Sequence, residues 1–217
     1  MAGNPFLLPD LLRRQKLMVS ADQVSQLNWL GEELLRWNRS RNLTAITAWD
    51  EVVEKHLVDS LLLLPHVPAT GRLLDIGSGA GFPSLPLKIV RPDLEVVTVD
   101  AVAKKVFFQR HVARTLNLRQ YAAVHGRLET CRSEPALAAS FDLATARAVA
   151  SLEHLAKLAG PLLRSGGRLL AMKGPEGPGE LDACRENLAA GGWRWRSEGS
   201  ELPITGAARW LLILTKE

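Results

Sequence analysis

Hydrophobic residues recur every three or four positions in the first third of the chain, which is the spacing of one face of an α-helix. Five residues follow this spacing: Val24, Leu27, Leu30, Leu34 and Trp37. Ser20 followed by Gln23 is typical of a capping box at a helix start. The pattern predicts a helix over about 21–38 and a second helix over about 49–64, ended by Pro65.

From residue 72 the pattern changes to short apolar runs separated by helical stretches. Five runs have the length and composition of buried strands: 72–76, 94–99, 121–124, 141–145 and 168–172. Three of the intervening stretches predict crossover helices: 84–90, 103–116 and 151–163, the last closed by Ser165–Gly167. Repeated strand–helix–strand units predict a parallel sheet with helices on both faces.

The C-terminal part has a different order of elements. A helix is predicted near 179–190, and strands 193–198 and 209–215 then follow each other closely enough to pair antiparallel. The sequence therefore predicts an α/β fold with a mostly parallel sheet and a C-terminal antiparallel hairpin. A helical region over 1–68 precedes this domain, which we place at 69–217.

Composition narrows the class of protein. The 217 residues are 47% hydrophobic and 23% charged, as in ordinary folded proteins. The two cysteines, Cys131 and Cys184, stand alone and lack the spacing of a zinc site. No apolar run approaches the ~20 residues that span a bilayer. We expect a metal-free, membrane-free cytoplasmic protein that acts as a monomer.

Basic residues are concentrated in one segment. Lysine and arginine exceed aspartate and glutamate by 27 to 23 overall. Residues 88–132 hold nine of the basic residues, namely Lys88, Arg91, Lys104, Lys105, Arg110, Arg114, Arg119, Arg127 and Arg132. This segment predicts a basic face, which is either a nucleic-acid footprint or a solvated helix surface.

The strongest chemical signal is a glycine-rich turn between a strand and a helix, Leu74-Asp-Ile-Gly-Ser-Gly-Ala-Gly-Phe-Pro83. Such a turn lets a ligand approach the backbone closely at the carboxyl edge of the sheet. Its glycines fall as G-x-G-x-G, and Phe82 stands where the dinucleotide fingerprint needs a third glycine. Asp75 would repel phosphates but suits an ammonium group, or it is held by loop amides.

The next predicted strand ends in Asp100, 19 residues after Gly81, where a carboxylate can accept hydrogen bonds from two ribose hydroxyls. A cationic nucleoside that carries an amino acid fits these features, and S-adenosylmethionine is such a molecule. An NAD-linked oxidoreductase is the alternative, which the missing third glycine and Asp75 disfavour. A non-catalytic RNA-binding module on the same fold is the second alternative.

The sequence resembles the class I S-adenosylmethionine-dependent methyltransferases, which have a Rossmann-like fold. More specifically, it is similar to the bacterial small-subunit (16S) rRNA guanine-N7 methyltransferase family RsmG, also called GidB. The resemblance is carried by Trp37-Asn38, Asn42-Leu-Thr44, His56-Leu-Val-Asp-Ser60, Asp75–Pro83, Asp100, Lys104-Lys105, Gly126–Glu129, Arg147-Ala-Val149 and Lys173-Gly174. Ser84 departs from the family's glycine and is expected still to cap the following helix.

The resemblance implies S-adenosylmethionine as cofactor and 16S rRNA, or a small-subunit particle, as partner. We expect ten residues at the cofactor: Asp75, Gly77, Ser78, Gly79, Gly81, Phe82, Asp100, Leu128, Glu129 and Arg147. Of these, Leu128 and Glu129 are implied beside the adenine, and Arg147 at the edge of the methyl-transfer pocket as the catalytic residue. We expect Lys104, Lys105 and Lys173 to bind RNA.

Two of these residues and one further pair have structural alternatives. Glu129 is alternatively an exposed loop carboxylate, and Arg147 alternatively pairs with a carboxylate such as Glu153. His56 and Asp59 have the i, i+3 spacing of a structural contact on a helix, which we favour over a catalytic pair.

Two signatures of other methyltransferases are missing from the sequence. Ala144–Arg147 stands where enzymes that methylate exocyclic amines carry Asn/Asp-Pro-Pro-aromatic, and no Pro-Cys pair supplies a thiolate for cytosine C5. Guanine N7 needs neither, because it has an exposed lone pair. Alignment in a desolvated pocket then suffices for catalysis.

Overall fold

The computed structural model describes residues 7–131, 140–147 and 150–217. The sheet has seven strands: β1 (Gly71–Ile76), β2 (Leu94–Asp100), β3 (Tyr121–His125), β4 (Phe141–Arg147), β5 (Leu163–Lys173), β6 (Trp193–Glu201) and β7 (Ala208–Lys216). Their order is β3-β2-β1-β4-β5-β7-β6, with β7 antiparallel to both of its neighbours and the remaining pairs parallel. The predicted α/β fold with a C-terminal antiparallel hairpin is confirmed.

The helices are α1 (Leu7–Arg14), α2 (Ala21–Arg41), α3 (Trp49–Val52), α4 (Asp59–Leu61), α5 (Ser84–Val90), α6 (Ala103–Thr115), α7 (Leu128–Cys131), α8 (Leu152–Ala159) and α9 (Gly177–Ala190). A short 3₁₀ turn follows α4 at Leu64–His66, and another follows α8 at Gly160–Leu162. Neither α1 nor α7 was predicted as a separate helix. No helix within these ranges has an apolar stretch long enough to cross a membrane.

Helix α2 begins and ends as local chemistry dictates. The Ser20 hydroxyl accepts the Gln23 amide, and the Gln23 side chain accepts the Ser20 amide, which confirms the capping box. The helix ends at Asn42, which adopts the left-handed conformation with φ +48°. Asparagine tolerates this conformation better than most residues.

The second predicted helix differs from expectation because its middle is a π-helix. Between α3 and α4, residues Val53–Val58 have i to i−5 hydrogen bonds. The Asp59 amide accordingly bonds to the carbonyls of Glu54 and His56 and not to that of Lys55. Wide turns of this kind often lie at functional sites, and this one faces the carboxyl edge of the sheet.

The two faces of the sheet are covered by different helices. One buried cluster joins the N-terminal helices to α5, α6 and the sheet through side chains such as Leu27, Leu57, Leu85 and Phe108. The opposite cluster joins α8 and α9 to the sheet. The helical region 1–68 and the domain 69–217 therefore share one buried core.

Two sequence expectations are wrong at this level. Residues 165–167 lie inside β5 and do not close a helix, because α8 stops before the 3₁₀ turn that contains Pro161. Proline has no amide hydrogen to continue an α-helix. Lys88 is absent from the basic face, because it is 1% exposed and donates to the carbonyls of Pro92, at 2.7 Å, and Leu94.

Candidate functional site

The glycine-rich turn lies at the carboxyl ends of β1 and β2. Gly77 donates its amide to the Val99 carbonyl at 2.9 Å, and Gly79 donates its amide to Asp100 Oδ2 at 2.8 Å. Gly79 has φ +58°, and a Cβ built there meets no atom within 4 Å, so this glycine faces open space. At Gly81, φ is +92° and a Cβ would collide with Leu85, so any larger residue would disturb the turn.

Asp100 lies beside a cavity of about 270 Å³ at the ends of the first three strands. Its second oxygen accepts the Val102 amide at 2.8 Å, and the residue is 8% exposed. Each carboxylate oxygen has two lone pairs, so both can still accept from a ligand. Gly77, Leu128 and Glu129 line the same cavity, as the sequence predicts.

Leu128 and Glu129 belong to the short helix α7 and not to a loop. Leu128 is 5% exposed and supplies an apolar wall. The Glu129 side chain is half exposed and lies 3.9 Å from His154 Nε2.

Asp75 is buried behind the turn and lines neither cavity of the site. Its carboxylate accepts the Ser84 amide at 3.2 Å and the Thr145 hydroxyl at 3.2 Å. Burial raises the pKa of this carboxyl to about 6, while these hydrogen bonds and the positive charge of Arg147 act in the opposite direction. This arrangement does not favour the predicted direct contact between Asp75 and the cofactor. Asp75 instead supports the turn through these buried hydrogen bonds.

A buried polar network centred on Gln109 holds the turn. The Gln109 side-chain amide donates to Ser78 Oγ at 2.8 Å and to the Gly79 carbonyl at 2.7 Å. Its oxygen accepts the hydroxyls of Thr98 at 2.6 Å and Tyr121 at 2.9 Å. Ser78 and Gly79 are thus fixed from α6 as well as from β2.

Ser84 does not cap α5, contrary to expectation. Pro83 is the capping residue and makes no side-chain hydrogen bond, while the Ser84 hydroxyl lies 3.2 Å from the Tyr121 hydroxyl. Because the Tyr121 hydroxyl donates to Gln109, Ser84 donates to Tyr121 and extends the buried network.

A second, larger cleft of about 880 Å³ adjoins the first cavity, and Gly77 lines both. Phe82 and His56 form one wall, with their rings stacked at a centroid distance of 4.7 Å. Lys104 and Lys105, from the start of α6, line the same cleft. The structure therefore brings the glycine turn, Phe82 and two of the three predicted RNA-binding lysines together.

Arg147 links β4 to the π-helical segment and also lines the cleft. Its guanidinium donates to the Lys55 carbonyl at 2.8 Å, to Asp59 at 3.3 Å and to His56 Nδ1 at 3.0 Å. Its partner is thus Asp59 and not Glu153, which pairs with Lys157 at 2.6 Å. Burial lowers the pKa of Arg147, and Asp59 opposes this shift.

Asp59 is 5% exposed and accepts from two arginines, because Arg209 on β7 donates to its other oxygen at 3.1 Å. His56 and Asp59 therefore meet through Arg147, and no described hydrogen bond joins them directly. The structural interpretation of this pair holds for Asp59, whereas His56 lines the cleft.

His56 is neutral and has a defined tautomer. Burial, followed by the charges of Arg147 and Lys55, lowers its pKa from 6.5 to about 3. Since Arg147 donates to Nδ1, the ring hydrogen is on Nε2, which donates to Thr44 Oγ1 at 3.1 Å. Thr44 Oγ1 also accepts the Ile46 amide at 3.2 Å, so its own hydroxyl hydrogen remains available in the cleft.

Lys173 lies away from this cleft. Its side chain is 8% exposed, pairs with Glu180 at 2.8 Å and donates to the Ala150 carbonyl at 2.7 Å. These contacts tie β5 to α9, which argues against the predicted RNA contact of Lys173.

Some predicted positions lie outside the described residues: Arg132 of the basic segment, Ala148 and Val149 after Arg147, and the side chain of Cys131. Across the described ranges, no group of three or more histidine, cysteine, aspartate or glutamate side chains is arranged to hold a metal ion.

Sequence reasoning missed the roles of Thr44 and Gln109. A signal for Gln109 was present, because it is a polar residue on the apolar face of a predicted helix. Thr44 belongs to the Asn42-Leu-Thr44 motif, but no pattern indicates its contact with His56, because that contact depends on how the loop after α2 folds. Asn38 shapes that loop by accepting the amides of Leu43 at 2.7 Å and Thr44 at 3.0 Å.

Comparisons with known proteins find similar sequences over most of the chain. The family model described as rRNA small subunit methyltransferase G (GidB) matches residues 23–194. A ribosomal RNA small subunit methyltransferase G from Syntrophotalea carbinolica is 44% identical over 211 residues, which is 97% of each chain. The relative of the same description from Geobacter sp. strain M21 is 47% identical over 199 residues, 91% of each chain.

A solved structure shows the same fold. The O-methyltransferase from Bacillus cereus, in complex with SAH, superposes with a TM-score of 0.61 at 17% identity. The match covers 86% of this chain and 90% of that one. At this identity the likeness shows the fold alone.

Proposed function

The chain belongs to the rRNA small subunit methyltransferase G (GidB) family, and on this premise we propose that it transfers a methyl group from S-adenosylmethionine to guanine N7 in 16S rRNA. The observation that carries the proposal is the pair of adjoining cavities that share Gly77. One has the chemistry of a nucleoside site, and the other is a wider cleft with basic side chains. The NAD-linked and non-catalytic alternatives are not favoured by the family.

The smaller cavity fits the cofactor. Asp100 offers free lone pairs to ribose hydroxyls, Leu128 offers an apolar wall to the adenine, and Gly77 lines the cavity. Gly79, at the adjoining cleft, faces open space. When bound, S-adenosylmethionine supplies a methyl group on a positively charged sulfur. The Gln109 network and Asp75 hold the turn in place before the cofactor arrives, which reduces the cost of ordering it on binding.

The cleft suits a base that needs no deprotonation. Guanine N7 has a free lone pair, so the protein needs to align it and exclude water but not to remove a proton. His56 accordingly serves as a wall and not as a base, since its pKa is about 3 and both ring nitrogens have partners. The Thr44 hydroxyl is the donor that we assign to guanine O6, which lies next to N7.

Arg147 acts mainly through its neighbours. By donating to His56 Nδ1, it fixes the tautomer that leaves the Thr44 hydroxyl free to donate. Its charge is offset by Asp59, which it shares with Arg209, and by Asp75, and this limits repulsion of a purine that becomes cationic on N7 methylation.

The substrate implies where the protein works. Lys104 and Lys105 line the cleft, and we assign them to RNA phosphates. Since the proposed substrate is ribosomal RNA, we infer that the protein acts in the cytoplasm on naked 16S rRNA or on a small-subunit particle. We also propose that it acts as a monomer.

The test is methyl transfer by the purified protein to small ribosomal subunits from cells that lack this gene. Reverse-transcription mapping should show one new N7-methylguanine in 16S rRNA. Arg147→Ala should lose far more methyl transfer than thermal stability, because Arg209 remains as partner of Asp59. The variant should also still bind S-adenosylhomocysteine. Absence of N7-methylguanine with the wild-type protein, or methylation at another atom, would contradict the proposal.

A further inference from the structure

A third cavity, of about 540 Å³, lies on the outer surface between the end of α2 and α6. Trp37 and Arg41 line it from α2, and Lys104, Phe107 and Arg114 line it from α6. We call this cavity the α2/α6 groove. The groove is separate from the site described above, and the two have only Lys104 in common, which lines both the groove and the cleft.

The groove is positively charged. Arg41, Lys104 and Arg114 are exposed, and no carboxylate within the described ranges forms an ion pair with any of them. The nearby carboxylate of Glu33 is 5% exposed and already satisfied by Arg36, Trp37 and His111. Although burial raises the pKa of Glu33, these hydrogen bonds outweigh it and lower the pKa.

Phe107 is an exposed aromatic ring in the middle of this charge. Its exposure is 60%, whereas its neighbour Phe108 is completely buried in the core. Lys104, Phe107 and Arg114 are separated by three and seven residues, so they share one outward face of α6. An aromatic face between cations is the arrangement that binds unpaired nucleotides, because every base can stack on the ring while the phosphates meet the charges.

We propose that the α2/α6 groove binds the rRNA strand next to the target guanine, with one unpaired base stacked on Phe107 and phosphates at Arg41 and Arg114. The inference rests on the proposed function and adds to it a second contact region outside the cleft. Lys104 lies where the groove meets the cleft, so a strand leaving the cleft passes it first. An acidic protein segment could pair with the charges, but it has no base to stack on the exposed ring of Phe107.

The first experiment isolates the stacking. Phe107→Ala should raise the KM for unmethylated small ribosomal subunits roughly 5- to 100-fold, while Phe107→Trp, which keeps an aromatic face, stays near the wild type. Affinity for S-adenosylhomocysteine, measured by calorimetry, should be unchanged in both. Met18→Ala is the matched control, since Met18 is an exposed apolar side chain, 90% accessible, outside the groove.

The second experiment isolates the phosphate contacts. The double variant Arg41→Gln/Arg114→Gln should reduce the slope of log affinity for the subunits against log salt by about 0.7 per contact. The double variant Arg185→Gln/Arg194→Gln removes the same charge from α9 and β6, at the other end of the sheet, and should keep the wild-type slope.

The third experiment identifies the partner. A photo-crosslinking phenylalanine analogue at position 107 should crosslink to 16S rRNA near the methylated guanine. A crosslink to a ribosomal protein, an unchanged KM in Phe107→Ala, or an equal loss in Phe107→Trp would each overturn the inference. Each variant is compared with wild-type protein that methylates the subunits. Failure of this inference is therefore distinct from failure of the proposed function, in which the wild-type protein would produce no N7-methylguanine at all.

Discussion

Burial shifts the pKa values of two site residues in opposite directions. Removal from water disfavours the charged form, so it raises the pKa of an acid and lowers the pKa of a base. Asp75 and His56 show the two cases, with pKa values of about 6 and about 3. Near neutral pH, Asp75 is a charged support of the turn and His56 is an uncharged wall of the cleft.

The shift at His56 predicts an acid-dependent loss of stability. Between pH 6.5 and 3, the unfolded chain binds a proton at His56 that the folded protein does not, so the free energy of unfolding falls as the pH is lowered. From pH 7 to pH 5 the contribution is about 2 kcal/mol. In urea titrations at both pH values, His56→Gln should lose that much less stability than the wild type.

An exposed position without a titratable side chain provides the control for this comparison. Met18→Ala changes no titratable group and should keep the pH dependence of the wild type. Comparing variant with wild type also cancels the contribution of Asp75, whose raised pKa makes stability fall as the pH rises from 3.8 to about 6. Equal pH dependence in His56→Gln and wild type would contradict a neutral, buried His56.

Asp100 is predicted to contribute directly to cofactor affinity. Asp100→Ala should weaken S-adenosylhomocysteine binding by about 1–3 kcal/mol, because ribose hydroxyls lose a charged acceptor and the amides of Gly79 and Val102 lose theirs. Asp100→Asn keeps one acceptor oxygen and should fall between. Asp93→Ala, before β2, is the control for charge. Calorimetry that shows unchanged affinity in Asp100→Ala would remove this residue from the site.

At the scale of elements, the inner and outer faces of α6 have different roles. Its inner face buries Val106, Phe108 and Val112 and carries Gln109 to the glycine turn. Its outer face carries Lys104 and Phe107 along the α2/α6 groove. A single helix therefore connects the geometry of the cofactor turn with the surface that we assign to RNA.

This arrangement predicts that Gln109→Leu impairs the turn and not only the core. Leucine would leave Ser78, Thr98 and the Gly79 carbonyl without a buried partner, each at a cost of about 1–3 kcal/mol. We expect a lower melting temperature together with weaker S-adenosylhomocysteine binding. Tyr121→Phe removes one hydroxyl and should show a smaller change in both. A destabilised Gln109→Leu variant with full affinity would mean that the network supports the core alone.

At the scale of the whole molecule, the N-terminal helices are part of the core that carries the site. The cluster that contains Leu27 and Leu57 continues through Leu85 and Phe108 into the sheet. Arg147 also joins β4 to the π-helical segment, and Glu54 accepts the amides of Ile204 and Thr205 from the distal hairpin. The helical region thus contributes both packing and one wall of the cleft.

The shared core predicts that residues 69–217 do not form a well-packed domain alone. Without residues 1–68, apolar side chains of α5 and α6 would be exposed to water, at about 25 cal/mol per Å². The full chain should unfold in one urea transition by both circular dichroism and tryptophan fluorescence. The isolated segment should aggregate or unfold without a sharp transition. A sharp transition in soluble 69–217 would show that it is independent.

Local patterns in the sequence determined most of the elements and the centre of the proposed cofactor site. The strand before Gly77, the glycine turn and Asp100 at the next strand end follow from hydrophobic period and turn chemistry, which act over a few residues. The parallel order of the first strands follows from repeated strand–helix units. The π-helical segment, by contrast, leaves no mark in the hydrophobic pattern that separates it from an α-helix.

Only the tertiary structure decided which charged and polar side chains face the site. Lys88 and Lys173 are chemically like Lys104, yet the first two are buried against carbonyls or Glu180 while the third lines the cleft. Arg147 meets Lys55, His56 and Asp59, about 90 residues earlier in the chain. The environment of a long side chain depends on segments that the fold brings together from distant parts of the chain, and no local pattern encodes that meeting.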